Sequence, residues 1–239
     1  VEAGRTEGEA GRLVANYQNL LRTVEFHSTS DNPTDFNANL ARTLTWSVSG
    51  GTAVTTATTT LNIVAVNDAP QATVAAAASY TENRAPVVVS PASTVTDVDD
   101  IDLVSGEVRI VSGAVAGDLL TVNGLQSGTF LGIDFSYDAV LHSLTFTHPT
   151  DVANYQAFLE AVAFSSTSDN PTDFGLNPTR TLSWFVFDGD ALSDVQTTVV
   201  SINALADAPV NTVPAAQSVN EDTLLPIAGL SVADVDSTT

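Results

Sequence analysis

No cysteine, no methionine and no lysine occur in this chain of 239 residues. Without thiols there is no disulfide, no thiolate zinc site and no cysteine nucleophile. Rigidity must come from elsewhere, and bound metal is one source. Without methionine, Val1 is not a translation start, and no basic stretch followed by an apolar core marks a signal peptide. Positive charge is scarce: seven basic residues, all arginine, face 28 acidic ones, for a net charge of −21. Phosphate and anionic lipid are held by clustered Lys and Arg, so nucleic acid is excluded as a partner. No run of 18 apolar residues is present, so no membrane insertion of this segment is expected. His27, His142 and His148 form no spaced metal motif, and no Gly-x-Ser-x-Gly, phosphate loop or His-Glu-x-x-His occurs. The expectation is a protein that is not an enzyme.

What is present is a repeat. Residues 14–46 read VANYQNLLRTVEFHSTSDNPTDFNANLARTLTW, and residues 152–184 read VANYQAFLEAVAFSSTSDNPTDFGLNPTRTLSW. The offset is 138 throughout, and 22 of 33 positions are identical. Self-similarity at a fixed period marks a repeat array.

Residues 1–12 are polar and Gly-rich and read as loop. Leu13, Tyr17, Leu20 and Leu21 have helical spacing, repeated at Val152, Tyr155, Phe158 and Leu159 with Thr150 or Asp151 as N-cap. Each helix predicts a strand after it, at Val24 and Phe26 and at Val162 and Phe164. Ser-Asp-Asn-Pro at 30–33 and 168–171 then reads as a turn or long loop. Leu44, Trp46 and Val48, and again Leu182, Trp184 and Val186, alternate as a half-buried antiparallel strand does. A loop follows, Gly50-Gly51-Thr52 in one copy and Asp188-Gly189-Asp190 in the other. A Thr-rich strand then runs into Asn67-Asp68-Ala69-Pro70, and its copy into Ala206-Asp207-Ala208-Pro209. Between 71 and 150, short β-like runs recur at Pro86–Val89, Glu107–Ser112, Leu119–Val122, Ile133–Tyr137 and Leu141–Thr147. The front half restarts after Pro209, with Val232-Ala233-Asp234-Val235-Asp236 answering Val95-Thr96-Asp97-Val98-Asp99. This divides the chain into the closing half of one repeat (1–69), a complete β-sandwich repeat (70–208) and the opening of a third (209–239). Many short strands with little helix predict an all-β fold of tandem sandwiches, each with one short helix.

Chemistry is expected of the acidic clusters. Asp97, Asp99, Asp100 and Asp102 lie within six residues. A hard divalent cation takes six to eight oxygens, several from carboxylates, and Asp-x-Asp sets two of them on one side of an extended segment.

The frame of an early acidic residue, Asp-x-Asp, Ser-Asp-Asn-Pro, Arg-Thr-Leu-x-Trp, Asp-Gly-Asp and a closing Asn-Asp-Ala-Pro resembles the cadherin-like, Ig-like tandem repeats of large secreted bacterial surface proteins and adhesins. The calcium β-roll nonapeptide is absent. The resemblance implies an extracellular or cell-surface spacer whose junctions are stiffened by calcium. At the first junction it implies Asn67 and Asp68 with Glu82. At the second it implies Asp188, Asp190 and Asp207 meeting Glu221, Asp234 and Asp236. Copy one has Gly50 and Thr52 where copy two has Asp188 and Asp190, so the first junction is expected to bind ions more weakly. The partners implied are calcium, neighbouring repeats, and either cell-surface glycans or like molecules. A carbohydrate-binding or homophilic adhesion module is the alternative. Front strands of the third repeat could complete the open first repeat of another molecule.

The remaining candidates read as structural. Asp31, Asn32 and Asp35, like Asp169, Asn170 and Asp173, are expected to fix a loop rather than hold an ion or sugar. Trp46 and Trp184 alternate with Leu and Val and read as core. Arg42 and Arg180 are expected to pair with Asp35 and Asp173.

Overall fold

A computed structural model describes residues 7–49 and 53–237, with side chains from Leu13 onward. The Gly50-Gly51-Thr52 loop and the first six residues lie outside the described residues. Two bodies are resolved, one within Val1–Ala65 and one within Val66–Thr239.

In the first body, helix α1 (Glu7–Leu21) is followed by the hairpin of β1 (Ala41–Ser49) and β2 (Val54–Asn62). Residues 7–12 are helical rather than loop. The second copy has Asp151 at the position of Leu13, and Asp151 caps its helix there, whereas Leu13 has no capping oxygen and lies inside α1. Residues 24–30 carry no ladder, although a strand is expected at Val24 and Phe26.

The second body contains β3 (Gln71–Thr73), β4 (Ala77–Thr81), β5 (Val87–Val88), β6 (Thr94–Thr96), β7 (Asp102–Ser112), β8 (Asp118–Val122), β9 (Ser127–Phe130), β10 (Ile133–Asp138) and β11 (Ser143–Asp151). Helix α2 (Val152–Glu160) follows, then β12 (Val162–Ser166), β13 (Thr179–Phe187) and β14 (Gln196–Asn203), and finally β15 (Val210–Thr212) and β16 (Ser231–Ala233). The fold is all-β with one helix per repeat.

A seven-stranded sheet runs β4-β14-β13-β7-β11-β10-β9, and a three-stranded sheet runs β5-β12-β8. Both contribute to one core. Period-2 alternation puts Leu182, Trp184 and Val186 inward on β13, and Ile133 and Phe135 inward on β10. Gly106 on β7 is where the sheet leaves no room for a side chain, because an added Cβ would meet the Phe146 ring at 2.4 Å. Asp151 caps α2, its Oδ1 accepting from the Asn154 amide at 2.8 Å. On the buried side of α2, Tyr155, Phe158 and Leu159 reach the core, and Phe158 stacks on Phe146 with 4.6 Å between ring centres.

Trp184 is fully buried, as its alternation with Leu and Val predicts. Arg180 does not pair with Asp173. Its guanidinium is buried against Asp118, with Nη2 donating to Oδ1 at 3.3 Å and Nε to Oδ2. Carbonyls of Pro171, Asn177 and Thr179 accept its remaining protons. Asp173 instead accepts from the Asn177 side chain at 3.2 Å, as Asp35 does from Asn39 at 2.9 Å. Both loop aspartates sit with positive φ inside their own turns. Arg42 has the same carbonyl cradle, made by Pro33, Asn39 and Ala41, and no carboxylate within it.

Candidate metal centre

Strand β4 lies parallel to β14, pairing Val199 with Ala77 through Asn203 with Thr81. Glu82 follows β4 directly, so it arrives where β14 ends. Its amide donates to the Asn203 carbonyl at 3.0 Å, and its Oε2 accepts from the Leu205 amide at 2.7 Å. β14 has eight residues, about 26 Å at about 3.3 Å each. The Asp188-Gly189-Asp190 turn lies before the other end of that strand. The two acidic sets are therefore regrouped relative to the expectation. Glu82 belongs with Asp207, and Asp188 belongs with Asn67.

Beyond the end of β14, carboxylate oxygens of Glu82, Asp169 and Asp207 lie within 4.8 Å of one another. Two oxygens that each sit 2.3–2.6 Å from one calcium are at most about 5 Å apart. Glu82 is 1% exposed, and its Oε1 has no hydrogen-bond partner; buried Asp207 Oδ2 has none either. Buried polar atoms are normally satisfied, and these two oxygens, left without a protein donor in one place, are of the type that can ligate a hard cation. Desolvation pushes the Glu82 carboxyl above its usual 4.5, Asp207, Asp169 and Asp236 push it further, and the Leu205 amide only partly opposes them.

The Asp207 amide donates to Asp236 Oδ2 at 2.9 Å, and the Asp236 amide to Asp234 Oδ1 at 3.3 Å. This hinge is built twice. At the other end, the Asp68 amide donates to both carboxylate oxygens of Asp99 at 3.3 Å, and the Asp99 amide to Asp97 Oδ1 at 3.1 Å. The Asp100 amide also reaches Asp97 Oδ1, at 2.9 Å. Oxygens of Asp97, Asp99 and Asp100 form a second cluster within 4.8 Å, and Asp97 Oδ2 is buried without a partner. Burial raises the carboxyls of Asp99 and Asp100, and neighbouring Asp97 raises both further; Asp188 and Asp190 add to Asp100.

Asp188 closes this end. It accepts from Asn67 Nδ2 at 3.0 Å and from the amides of Asp190 and Ala191 at 2.6 Å. Burial alone would raise its carboxyl, but these donors outweigh burial and hold it low. The junction expected to be poorer in acid is thus the one that receives Asp188 and Asp190. Asp190 is exposed at the turn. Asp102 is exposed on β7, opposite Asp151, outside either cluster. Glu221 is exposed and belongs to neither cluster.

Asp169 is the residue that sequence reasoning set aside as loop structure. Its neighbours do fix the loop: Asn170 Oδ1 accepts the Phe174 amide at 2.9 Å, as Asn32 does for Phe36. Asp169 itself has no such role, and the loop holds it beside Glu82. The signal available was that Ser-Asp-Asn-Pro contains three side-chain acceptors while the turn uses only Ser168 and Asn170.

No protein-family profile matches the chain, and no curated protein matches it. Among solved structures, the extracellular cadherin domains 1–4 of protocadherin gamma B7 align over 85% of this chain and 43% of that one, at 17% identity and a TM-score of 0.33. The extracellular domain of protocadherin gamma B4 aligns over 85% and 30%, at 16% identity and 0.32. The human desmocollin-1 ectodomain aligns over 68% and 26%, at 14% identity and 0.24. The chain spans less than half the length of each.

Proposed function

We propose that residues 70–208 are one complete module of a tandem array, with 1–69 closing the preceding module and 209–239 opening the next. Calcium at the junctions lines the modules up, and the array serves as a non-catalytic spacer in an extracellular adhesion protein of the large, repetitive bacterial kind. The observation that carries this is the pair of orphaned oxygens, Glu82 Oε1 and Asp207 Oδ2, beside Asp169. The complete module supplies Glu82 and Asp169, the linker Asp207, and the next module Asp234 and Asp236. An ion shared by all three ties two modules to one linker. At the other end Asn67 and Asp68 with Asp97, Asp99, Asp100, Asp188 and Asp190 offer the next-module half of the same arrangement.

Calcium would act here as a fixed charge that cancels carboxylate repulsion; it performs no reaction. A ligand at about 100 times its dissociation constant adds roughly 2.7 kcal/mol per site. For a chain of this size that is about 5–10 °C in melting temperature. Melting in calcium and in chelator is the direct test. Equal melting temperatures would remove calcium from the mechanism and leave only the array.

A further inference from the structure

A cleft of about 400 Å³ lies between β3 and the start of β14 in the complete repeat. Small-molecule sites run from about 300 to 1,000 Å³. Pro70 and Leu192 give the cleft an apolar wall, and Gln71, Asp194 and Gln196 line the rest. Among the described residues, none of these three polar side chains has a partner. Thr73 also lines the cleft, but its hydroxyl is shared with that of Thr94 at 2.6 Å. Leu192 stands opposite Phe187 across the β13–β14 hairpin, which puts Phe187 next to the apolar wall. Phe185 and Phe187 lie on the outward side of β13 and are half-buried, whereas Trp184 and Val186 between them point into the core.

The repeats keep the frame here and change the lining. Trp46 faces Ala57 as Trp184 faces Gln196. Thr55 stands at offset 139 from Asp194. Val210 opens its strand opposite Ala233 as Gln71 opens β3 opposite Thr96. Leu182, Trp184 and Val186 recur as Leu44, Trp46 and Val48, but Phe185 and Phe187 are Ser47 and Ser49 in the copy. Strand pairing and core packing therefore do not require amides, a carboxylate or rings at these positions. The chemistry of the cleft is peculiar to the complete repeat.

That chemistry defines a ligand class. Each glutamine offers N–H donors and a carbonyl acceptor, and a carboxylate only accepts. A phosphate or carboxylate ligand also only accepts, no basic residue lines the cleft, and the net charge of −21 repels it. An ammonium only donates, which leaves the glutamine protons unmatched. One carboxylate is too few for a hard cation. Hydroxyls both donate and accept, and the C–H face of a sugar ring suits an apolar wall. We propose that the complete repeat binds a neutral saccharide in this cleft, its hydroxyls bonded to Gln71, Asp194 and Gln196 and its ring lying against Leu192 and Phe187. This adds a ligand to a repeat otherwise read as a spacer, and none of these residues is a candidate calcium ligand.

The test is a titration of the isotope-labelled full chain, in chelator, with glucose, galactose, mannose, N-acetylglucosamine and lactose. Each sugar is taken to about 0.1 M, enough to see a dissociation constant of about 10 mM. At least one should move the side-chain amide resonances of Gln71 and Gln196 along a saturating curve. Gln71→Val and Gln196→Ala each bring in what another repeat carries at that place, so the melting temperature should hold. Each should weaken binding about tenfold, as loss of one hydrogen bond does. Phe187→Ser should weaken it as well. The proposal is overturned if no sugar moves these resonances, or if the affinity of Gln71→Val/Gln196→Ala protein matches the parent. Tighter binding of ethylamine or acetate than of every sugar overturns it too. Because chelator is present throughout, a failure here leaves the calcium reading untouched.

Discussion

Residues 14–46 and 152–184 are nearly the same sequence in two different surroundings, and the contrast separates what sequence does locally from what packing does. The loop after Ser-Asp-Asn-Pro is built identically in both, with the same Asn acceptor and the same positive-φ pair, Asp35–Phe36 and Asp173–Phe174. The hairpin register is also the same, since Ala41 faces Asn62 as Thr179 faces Ser201. These features need only local turns and one partner strand. What differs depends on distant chain. Val162–Ser166 is a strand because β5 and β8 flank it, and its copy at 24–28 has no ladder. Arg180 is buried on Asp118; Arg42 has the cradle without the counter-ion.

The largest expected effects test that contrast in the core. Phe164→Ala should cost about 3–5 kcal/mol of the stability of the complete repeat, as large-to-small changes at buried aromatics do. Phe26→Ala, at the matching exposed position, should stay within about 0.5 kcal/mol. Arg180→Leu should cost about 3–5 kcal/mol, because it leaves Asp118 charged, buried and unpaired. Arg42→Leu should cost no more than about 1 kcal/mol. Denaturant melts of the four variants read these values, and equal costs within either pair would mean that the open face is closed in solution.

The readable part of the fold was local. Alternation located β13, a Thr-rich run located β14, and helical spacing with an N-cap located α2. Strands β3, β6 and β9 escaped notice because they are three or four residues long, too short for alternation to mark them. Their existence rests on pairing, and the β4–β14 pairing joins residues 122 apart in sequence. That pairing decides the candidate site. The resemblance placed Glu82 at the first junction, yet a parallel strand carries it to the far end of the sheet. The acidic residues themselves were visible as clusters, but their grouping was a matter of topology and could not be read from spacing.

The next effect extends the comparison to the two front halves. Glu82 is folded against its own β14, and Glu221, its copy, is exposed. Glu82→Gln should remove most of the calcium-induced rise in melting temperature, a loss of up to about 2.7 kcal/mol for one site at 100 times its dissociation constant. Glu221→Gln should leave the rise unchanged. In chelator the sign reverses. Glu82, Asp99 and Asp100 have folded-state carboxyls raised above the usual 4.5, 3.8 and 3.8. A raised carboxyl binds more protons folded than unfolded, so the stability it lends is present at low pH and is lost as pH climbs from those values through the folded ones. Asp188, held low, acts in the opposite sense and only below 3.8. The calcium-free melting temperature should therefore fall as pH rises above about 4, Glu82→Gln should flatten part of that fall, and calcium should abolish it. A calcium-free melting temperature that climbs over the same window would contradict the assignment.

The smallest effect concerns one side chain that differs between the copies. Asp151 caps α2 at Val152, and Leu13 occupies the same repeat position within α1, which starts at Glu7. If the cap sets the start, exchanging the two residues should exchange the behaviours. Asp151→Leu removes the acceptor for the Asn154 amide and should cost about 1 kcal/mol. Leu13→Asp places an N-cap side chain inside α1, where aspartate is disfavoured by up to about 0.7 kcal/mol, while offering the amides of the next turn an acceptor. Backbone chemical shifts of residues 7–12 should then lose their helical character while those of 14–21 keep it. Helical shifts at 7–12 that survive the substitution would mean that the longer helix is set by the composition of its first turns, and that the missing cap is incidental.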